Sequence, residues 1–372
     1  MNFQTIKLLF TFWVCILASF SVETVIAGEL FRYVDEHGVT RFTDRPPPTK
    51  TVSNYDRRTQ EEELIDRAVQ HGRDPKFDEG LLWEIRRPGR NERNYVFGTM
   101  HRGLRPLVEF VSNDKLGAGY ALRNSTTLCL EILPGESAVR ALVEHAIGPR
   151  GFDLRYVIPT DEVAEVMRAT RRANIPDSVA LRLQPWFLMM VVSENEMPSD
   201  SSYTTVESVL LDHAEKLEKK TCSAEDPAEH FRSLSSFSME EQAVLLRGTL
   251  QEIRRSDKPD VLATYFQEKT LQLVEQDRSQ SELSEQERNL LVRLDDKVLV
   301  KRNAKIVIGQ IENFNRGGVF LAVGAAHLPG VVGVLNMLKS SGFELRRIAV
   351  PSVDLQLYRN GAASNMVKEQ KK

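Results

Sequence analysis

Three cysteines in 372 residues, with no pair of C-x-x-C motifs, exclude a thiolate-built zinc module and a disulfide-stapled scaffold. No H-E-x-x-H is present, so the local two-histidine signature of many zinc peptidases is missing. There is no G-x-S-x-G elbow to present a serine nucleophile, and no glycine loop of the kind that cradles phosphates. A formal net charge of −3 lacks the basic excess that binding to nucleic-acid phosphates demands. Past residue 27 no run is long and apolar enough to cross a bilayer, and nothing repeats at solenoid period. What remains is ordinary globular composition, 41% hydrophobic and 27% charged, with length for one large core and a small accessory unit.

The N-terminus departs from this texture. Lys7 precedes an apolar run from Leu8 to about Phe20, and Val25-Ile26-Ala27 precede Gly28 in the pattern of a signal-peptidase site. The apolar core is short for a spanning helix, so residues 1–27 are expected to be a signal peptide. The mature chain is then periplasmic or secreted, with no integral membrane segment. Cys15 lies inside the apolar run rather than at a cleavage site, which argues against a lipoprotein, and it leaves with the leader. Cys129 and Cys222 remain. In an oxidising compartment they could pair, but both fall in short apolar or strand-like runs where a buried free thiol is at least as common.

Residues 28–48 read as a β-hairpin: two β-rich runs, Leu30 to Asp35 and Val39 to Thr43, are joined by an Asp/Glu/His/Gly turn and closed by three prolines. With Tyr33, Asp35, Gly38, Phe42, Thr43, Asp44 and Pro46, this stretch resembles a small module of unknown function found at the N-termini of exported proteobacterial proteins. Residues 49–76 mix charges with little periodicity beyond a short helix around Glu61–Gln70, and read as a linker. Removing residues 28–76 is accordingly expected to leave the main domain, 77–352, folded. A polar tail, 353–372, ends the chain.

Within the main domain, strand-like apolar runs alternate with amphipathic helical stretches, and residues 238–316 read as almost wholly helical. The order predicts an α/β fold: a mixed, mostly covered β-sheet with a large helical insertion, preceded by the hairpin. In such folds, chemistry gathers beyond the carboxyl ends of strands. Two runs end alike. "YVFGTMH" places His101 three residues after Gly98, and "FLAVGAAHLPG" places His327 three residues after Gly324. Glycine lets the backbone leave a strand sharply and pass close to a neighbour. Glu131 and Glu225 also stand at or just past the ends of apolar runs. Two imidazoles and a carboxylate brought together there would hold a divalent ion with open positions for water and substrate.

These residues carry a resemblance to the TraB/PrgY/GumN family, related to the Tiki metallopeptidases. It rests on the two G-x-x-H motifs, on Glu131 in "LCLEI", on Pro185-Trp186, on Ala224-Glu225 and on Arg302-Asn303, and it spans roughly Leu81 to Val350. Where many members have Gly-x-Asp before the middle helix, this chain has Thr205 and Glu207. The resemblance implies a metal-dependent hydrolase acting on a peptide or small molecule. His101 and His327 are then metal ligands, with Glu131 as a third ligand or an orienting group, and manganese, cobalt and zinc are the ions in view. Glu225 is assigned as general base, and Arg302 either stabilises an oxyanion or pairs with a carboxylate such as Glu131. Relatives also include binders of iron or haem, so a non-catalytic metal-, haem- or peptide-binding protein on the same fold is the alternative.

Overall fold

The computed structural model describes residues 31–34, 40–43, 53–101, 105–113, 115–196, 205–255, 260–276 and 284–350. The expected leader and the polar tail lie outside the described residues. Strands β1 (Phe31–Val34) and β2 (Thr40–Thr43) pair antiparallel, Phe31 opposite Thr43 and Val34 opposite Thr40, as the hairpin reading requires.

Six strands form the main sheet: β3 (Leu82–Arg86), β4 (Asn94–Thr99), β5 (Thr127–Leu130), β6 (Lys220–Ser223), β7 (Val319–Gly324) and β8 (Glu344–Ile348). Their order is β6-β5-β7-β4-β3-β8. The first four run parallel, while β3 lies antiparallel to both β4 and β8. Strands β4 and β7 are buried along their whole length, which is why their sequences lack polar alternation. Phe97, Leu128 and Phe320 face a core shared with helices Arg105–Ser112 and Val206–Lys216. Their strand neighbours Val96, Cys129 and Leu321 face the opposite core, under helices Lys301–Arg316 and Val334–Ser340. A third core, built around Leu142, Val166, Trp186, Leu188 and Leu246, belongs to the helical insertion. No helix among the described residues is long and apolar enough to cross a membrane.

Two expectations change. The stretch read as a linker forms a helix, Ser53–His71, that packs on the helices Lys301–Arg316 and Val334–Ser340. Leu64 and Ala68 are buried there beside Phe77, and Asn336 Nδ2 donates to the Ala68 carbonyl at 3.2 Å. One apolar turn anchors this helix while the rest stays charged, so hydrophobic periodicity is too brief to announce it. A chain starting at residue 77 should therefore lose about 2–4 kcal/mol of stability, from exposed apolar surface and the loss of one of the two hydrogen bonds of Asn336 Nδ2. A chain starting at residue 52 should unfold in urea like the full-length protein; equal stability of all three would show that the helix contributes nothing.

The cysteines, expected as free thiols at least as readily as a pair, form a disulfide. Cys129 and Cys222 are register partners on β5 and β6, with Cα atoms 4.5 Å apart. The sequence shows both residues in β-like runs but not that those runs are neighbours. Closing a separation of 93 residues stabilises by about 4–5 kcal/mol in the chain-entropy view, and it ties the edge strand β6 to the sheet.

Candidate metal centre

Because β6, β5, β7 and β4 are parallel, their carboxyl ends share one edge of the sheet, and Glu225, Glu131, His327 and His101 follow those ends in that spatial order. Thr99 of β4 lies opposite Gly324 of β7, so the two G-x-x-H turns leave the sheet side by side. Both glycines are explained by close approach. A Cβ on Gly98 would lie 2.7 Å from Leu328 Cδ1 and 3.0 Å from Ala325 Cα, where the second turn packs on the first strand. A Cβ on Gly324 would meet Glu131 Oε1 at 3.3 Å, His101 Nε2 at 3.3 Å and His327 Cδ2 at 3.5 Å. Gly324 is thus the floor of the site, and the two histidines and Glu131 ring it.

The partners of each imidazole decide which nitrogen is free. Asn303 Nδ2 donates to the Val332 carbonyl at 2.9 Å, which turns Asn303 Oδ1 to His327 Nδ1 at 2.6 Å. An amide oxygen only accepts, so Nδ1 carries the proton and Nε2 keeps its lone pair. That nitrogen faces Glu131 Oε1 at 3.6 Å. His101 Nδ1 lies 2.7 Å from Glu207 Oε1 as an ion pair, and its Nε2 points toward Gly324. His101 stands at φ 52, a left-handed conformation uncommon outside glycine. Glu207 is positioned by the first turn of its helix, whose N-cap Thr205 accepts from Ser208 N–H. The departure from Gly-x-Asp therefore still puts a carboxylate on the first histidine.

Beyond Glu131 lies a buried chain of charge. Arg302 Nη2 donates to Glu131 Oε2 at 2.9 Å and to Glu225 Oε2 at 2.6 Å, Nε donates to Glu225 Oε1 at 2.9 Å, and Nη1 donates to the Val298 carbonyl at 3.2 Å. Glu225 Oε2 also lies 3.3 Å from His230 Nδ1. Glu131 Oε1 accepts from the Gly324 N–H. Of the residues proposed from sequence, His101, His327 and Glu131 come together, while Glu225 stands one strand further away, behind Arg302. Reading the sequence missed His230, which follows Glu225 on the helix Pro227–Ser235 and shows no motif of its own.

Electrostatics follow this geometry. Burial pushes the His327 imidazole down to about 4, against the pull of Glu131, so it is neutral at pH 7. For Glu131, burial opposes ionisation, but His327, Arg302 and His101 together with the Gly324 amide outweigh it, holding the carboxyl well below its usual range. For His101, desolvation works against the charged form, and Glu207 more than offsets this, raising it to about 9, so the metal-free ring carries both protons at pH 7 and an ion would have to displace the one on Nε2. More than half of the His101 side chain is open to solvent, which screens part of that pull. Glu225 is lowered despite burial, by its bonds to His230 and Arg302.

Two cation positions can be compared. Oxygens of Glu131 and Glu225 and a nitrogen of His230 lie within 4.8 Å of one another. The Arg302 guanidinium already bridges those two carboxylates, so a divalent ion there would face a fixed positive charge at contact distance. Around Gly324 the guanidinium reaches only the outer oxygen of Glu131, Oε2, while Oε1 is shared with the Gly324 N–H. Two imidazole nitrogens and one anionic oxygen are donor types that zinc, cobalt and manganese accept.

The TraB/PrgY/gumN family profile matches residues 81–347, and the domain of unknown function DUF4124 matches residues 15–63. Metalloprotease TIKI1 of Homo sapiens is 24% identical over 314 residues, covering 71% of this chain and 61% of that protein. Metalloprotease TIKI1 of Xenopus tropicalis is 24% identical over 315 residues, with the same coverage. The chain thus spans 61% of the length of these curated relatives. No solved structure matches. The family match begins at Leu81, ahead of β3, and ends at Arg347 within β8, so it takes in all six strands and both G-x-x-H turns: the chain belongs to the TraB/PrgY/gumN family.

Proposed function

We propose that this protein is a metal-dependent hydrolase acting on peptides, with a divalent ion held by His101 Nε2, His327 Nε2 and Glu131. The observation that carries the reading is the placement of His101 Nε2 and His327 Nε2 beside Glu131 around Gly324, with Glu207 paired to Nδ1 of His101 and Asn303 bonded to Nδ1 of His327. The relatives named as metalloproteases support it at the level of the family. Bound there, the ion would supply Lewis acidity toward a substrate carbonyl and a water.

The protein's own groups prepare the site. Asn303 fixes the tautomer and ring orientation of His327, and Glu207 holds His101 in place by an ion pair. Arg302 balances the charges of Glu131 and Glu225 and aims Glu131 at Gly324. Both oxygens of Glu225 are engaged by Arg302, so the general-base role expected from sequence gives way to one of holding that guanidinium. Arg302 in turn commits its Nε, Nη1 and Nη2 to fixed acceptors, which favours the ion-pair role over oxyanion stabilisation. The proposed location remains periplasmic or secreted, supported by the leader-like N-terminus and by a disulfide that suits an oxidising compartment.

Metal-free protein titrated with zinc, cobalt and manganese should bind one ion per chain. Hydrolysis of a peptide library should appear with metal and vanish with chelator. Stoichiometric binding without any product would favour the binding-protein alternative, and absence of binding would remove the reading altogether.

A further inference from the structure

We propose that Tyr265 is a positioning residue for the histidine pair: its phenol holds the carbonyl of Gly98 and so sets the turn that delivers His101 to the site. This rests on the metal-site reading above. Tyr265 stands on the short helix Val261–Phe266, followed by the helix Thr270–Gln276. It is fully buried, and its Oη donates to the Gly98 carbonyl at 2.7 Å across 167 residues of sequence. That carbonyl belongs to the first residue of the Gly98–His101 turn.

The same helix pair is fastened to the sheet at other points. Thr270 Oγ1 donates to the Asp78 carbonyl at 2.9 Å, and the Gly80 N–H donates to the Glu268 carbonyl at 2.7 Å. The Glu268 carboxylate accepts from the Leu81 N–H at 3.2 Å and from the Val350 N–H at 3.0 Å. These contacts brace the start of β3 and the end of β8. The helix Thr270–Gln276 packs on the Ala325–His327 turn. One helix pair therefore touches both motif turns, and Tyr265 supplies its hydrogen bond to the first. The left-handed backbone of His101 persists only where its surroundings hold it, and the Tyr265 bond acts on the segment that leads into it. Burial, with the Glu207 and Glu268 carboxylates nearby, keeps the phenol well above the usual tyrosine range, so it remains a donor at any working pH.

The test compares Tyr265→Phe, which keeps the ring that fills the core, with Thr270→Val, which cuts a bond of the same helix pair away from the motifs. Both are first shown to be folded by thermal melting, and both are then titrated with cobalt(II) and followed by visible absorption. Loss of a group that orients a ligand should weaken cobalt binding about 10–100-fold and change the spectrum in Tyr265→Phe, while Thr270→Val binds as wild type. Unchanged affinity in Tyr265→Phe, equal weakening in both variants, or a Tyr265→Phe chain that does not fold would each overturn the inference; in the last case the hydroxyl would be holding the fold rather than the site. Wild-type protein that takes up no cobalt would overturn the metal-site reading and this inference with it, so the two failures are distinguishable.

Discussion

Replacing His327 by alanine is expected to abolish metal-dependent hydrolysis, a loss of about 10³-fold or more, since the ion's contribution to charge stabilisation is several kcal/mol. The fold should survive. His327 is buried, and its removal leaves Asn303 Oδ1 without its partner, which should lower stability by about 1–3 kcal/mol. His101→Ala should lose activity to the same extent with a smaller change in stability, because more than half of that side chain is exposed. Asn303→Leu makes a sharper variant: it keeps both imidazoles but releases the His327 tautomer, and should weaken metal binding about 10–100-fold. Steady-state hydrolysis and metal titration of the folded variants check this, and wild-type turnover in either alanine variant would contradict it.

Arg302→Ala should instead act on stability. The guanidinium separates two buried carboxylates, and deleting one partner of a buried ion pair costs about 3–5 kcal/mol. The sign with pH is informative. In the wild type the folded-state pKa of Glu225 is lowered from 4.5; the stability it contributes is complete above that unfolded value and is lost as pH falls through the folded one. In Arg302→Ala the two carboxylates lack their cation and repel each other, so their folded pKa values should rise and acidification should relieve the defect. Urea unfolding at pH 7 and pH 5 should show the gap from wild type narrowing at the lower pH. A gap that widens, or is absent at pH 7, would mean that Arg302 does not neutralise this pair. Glu225→Gln, which leaves Arg302 its bond to Glu131, should cost less than Arg302→Ala.

The parts of this arrangement visible in the sequence are those written in local pattern. Two apolar runs, each broken by a glycine and followed by a histidine, mark strand ends, and the parallel pairing of β4 with β7 makes them neighbours. Glu131 and Glu225 were legible for the same reason. What the sequence hid is decided across space. Arg302 could be read as an oxyanion group or an ion-pair partner, and only the approach of its helix to β5 and β6 places it between two carboxylates. Tyr265 carries no motif and lies 167 residues from the carbonyl it holds. The Cys129–Cys222 bond depends on the adjacency of β5 and β6. The helix Ser53–His71 was masked by its charged face, since Leu64 and Ala68 make a buried stripe too short to stand out.

The central claim is that the two G-x-x-H histidines ligate one ion, and X-ray absorption spectroscopy of the zinc-loaded protein tests it most directly. The expected spectrum contains two imidazole nitrogens at about 2.0–2.1 Å together with oxygen donors, and one imidazole is lost in His327→Ala or His101→Ala. A site with a single imidazole that persists in both alanine variants would contradict the account; if that imidazole disappears in His230→Ala, the ion sits among Glu131, Glu225 and His230 instead.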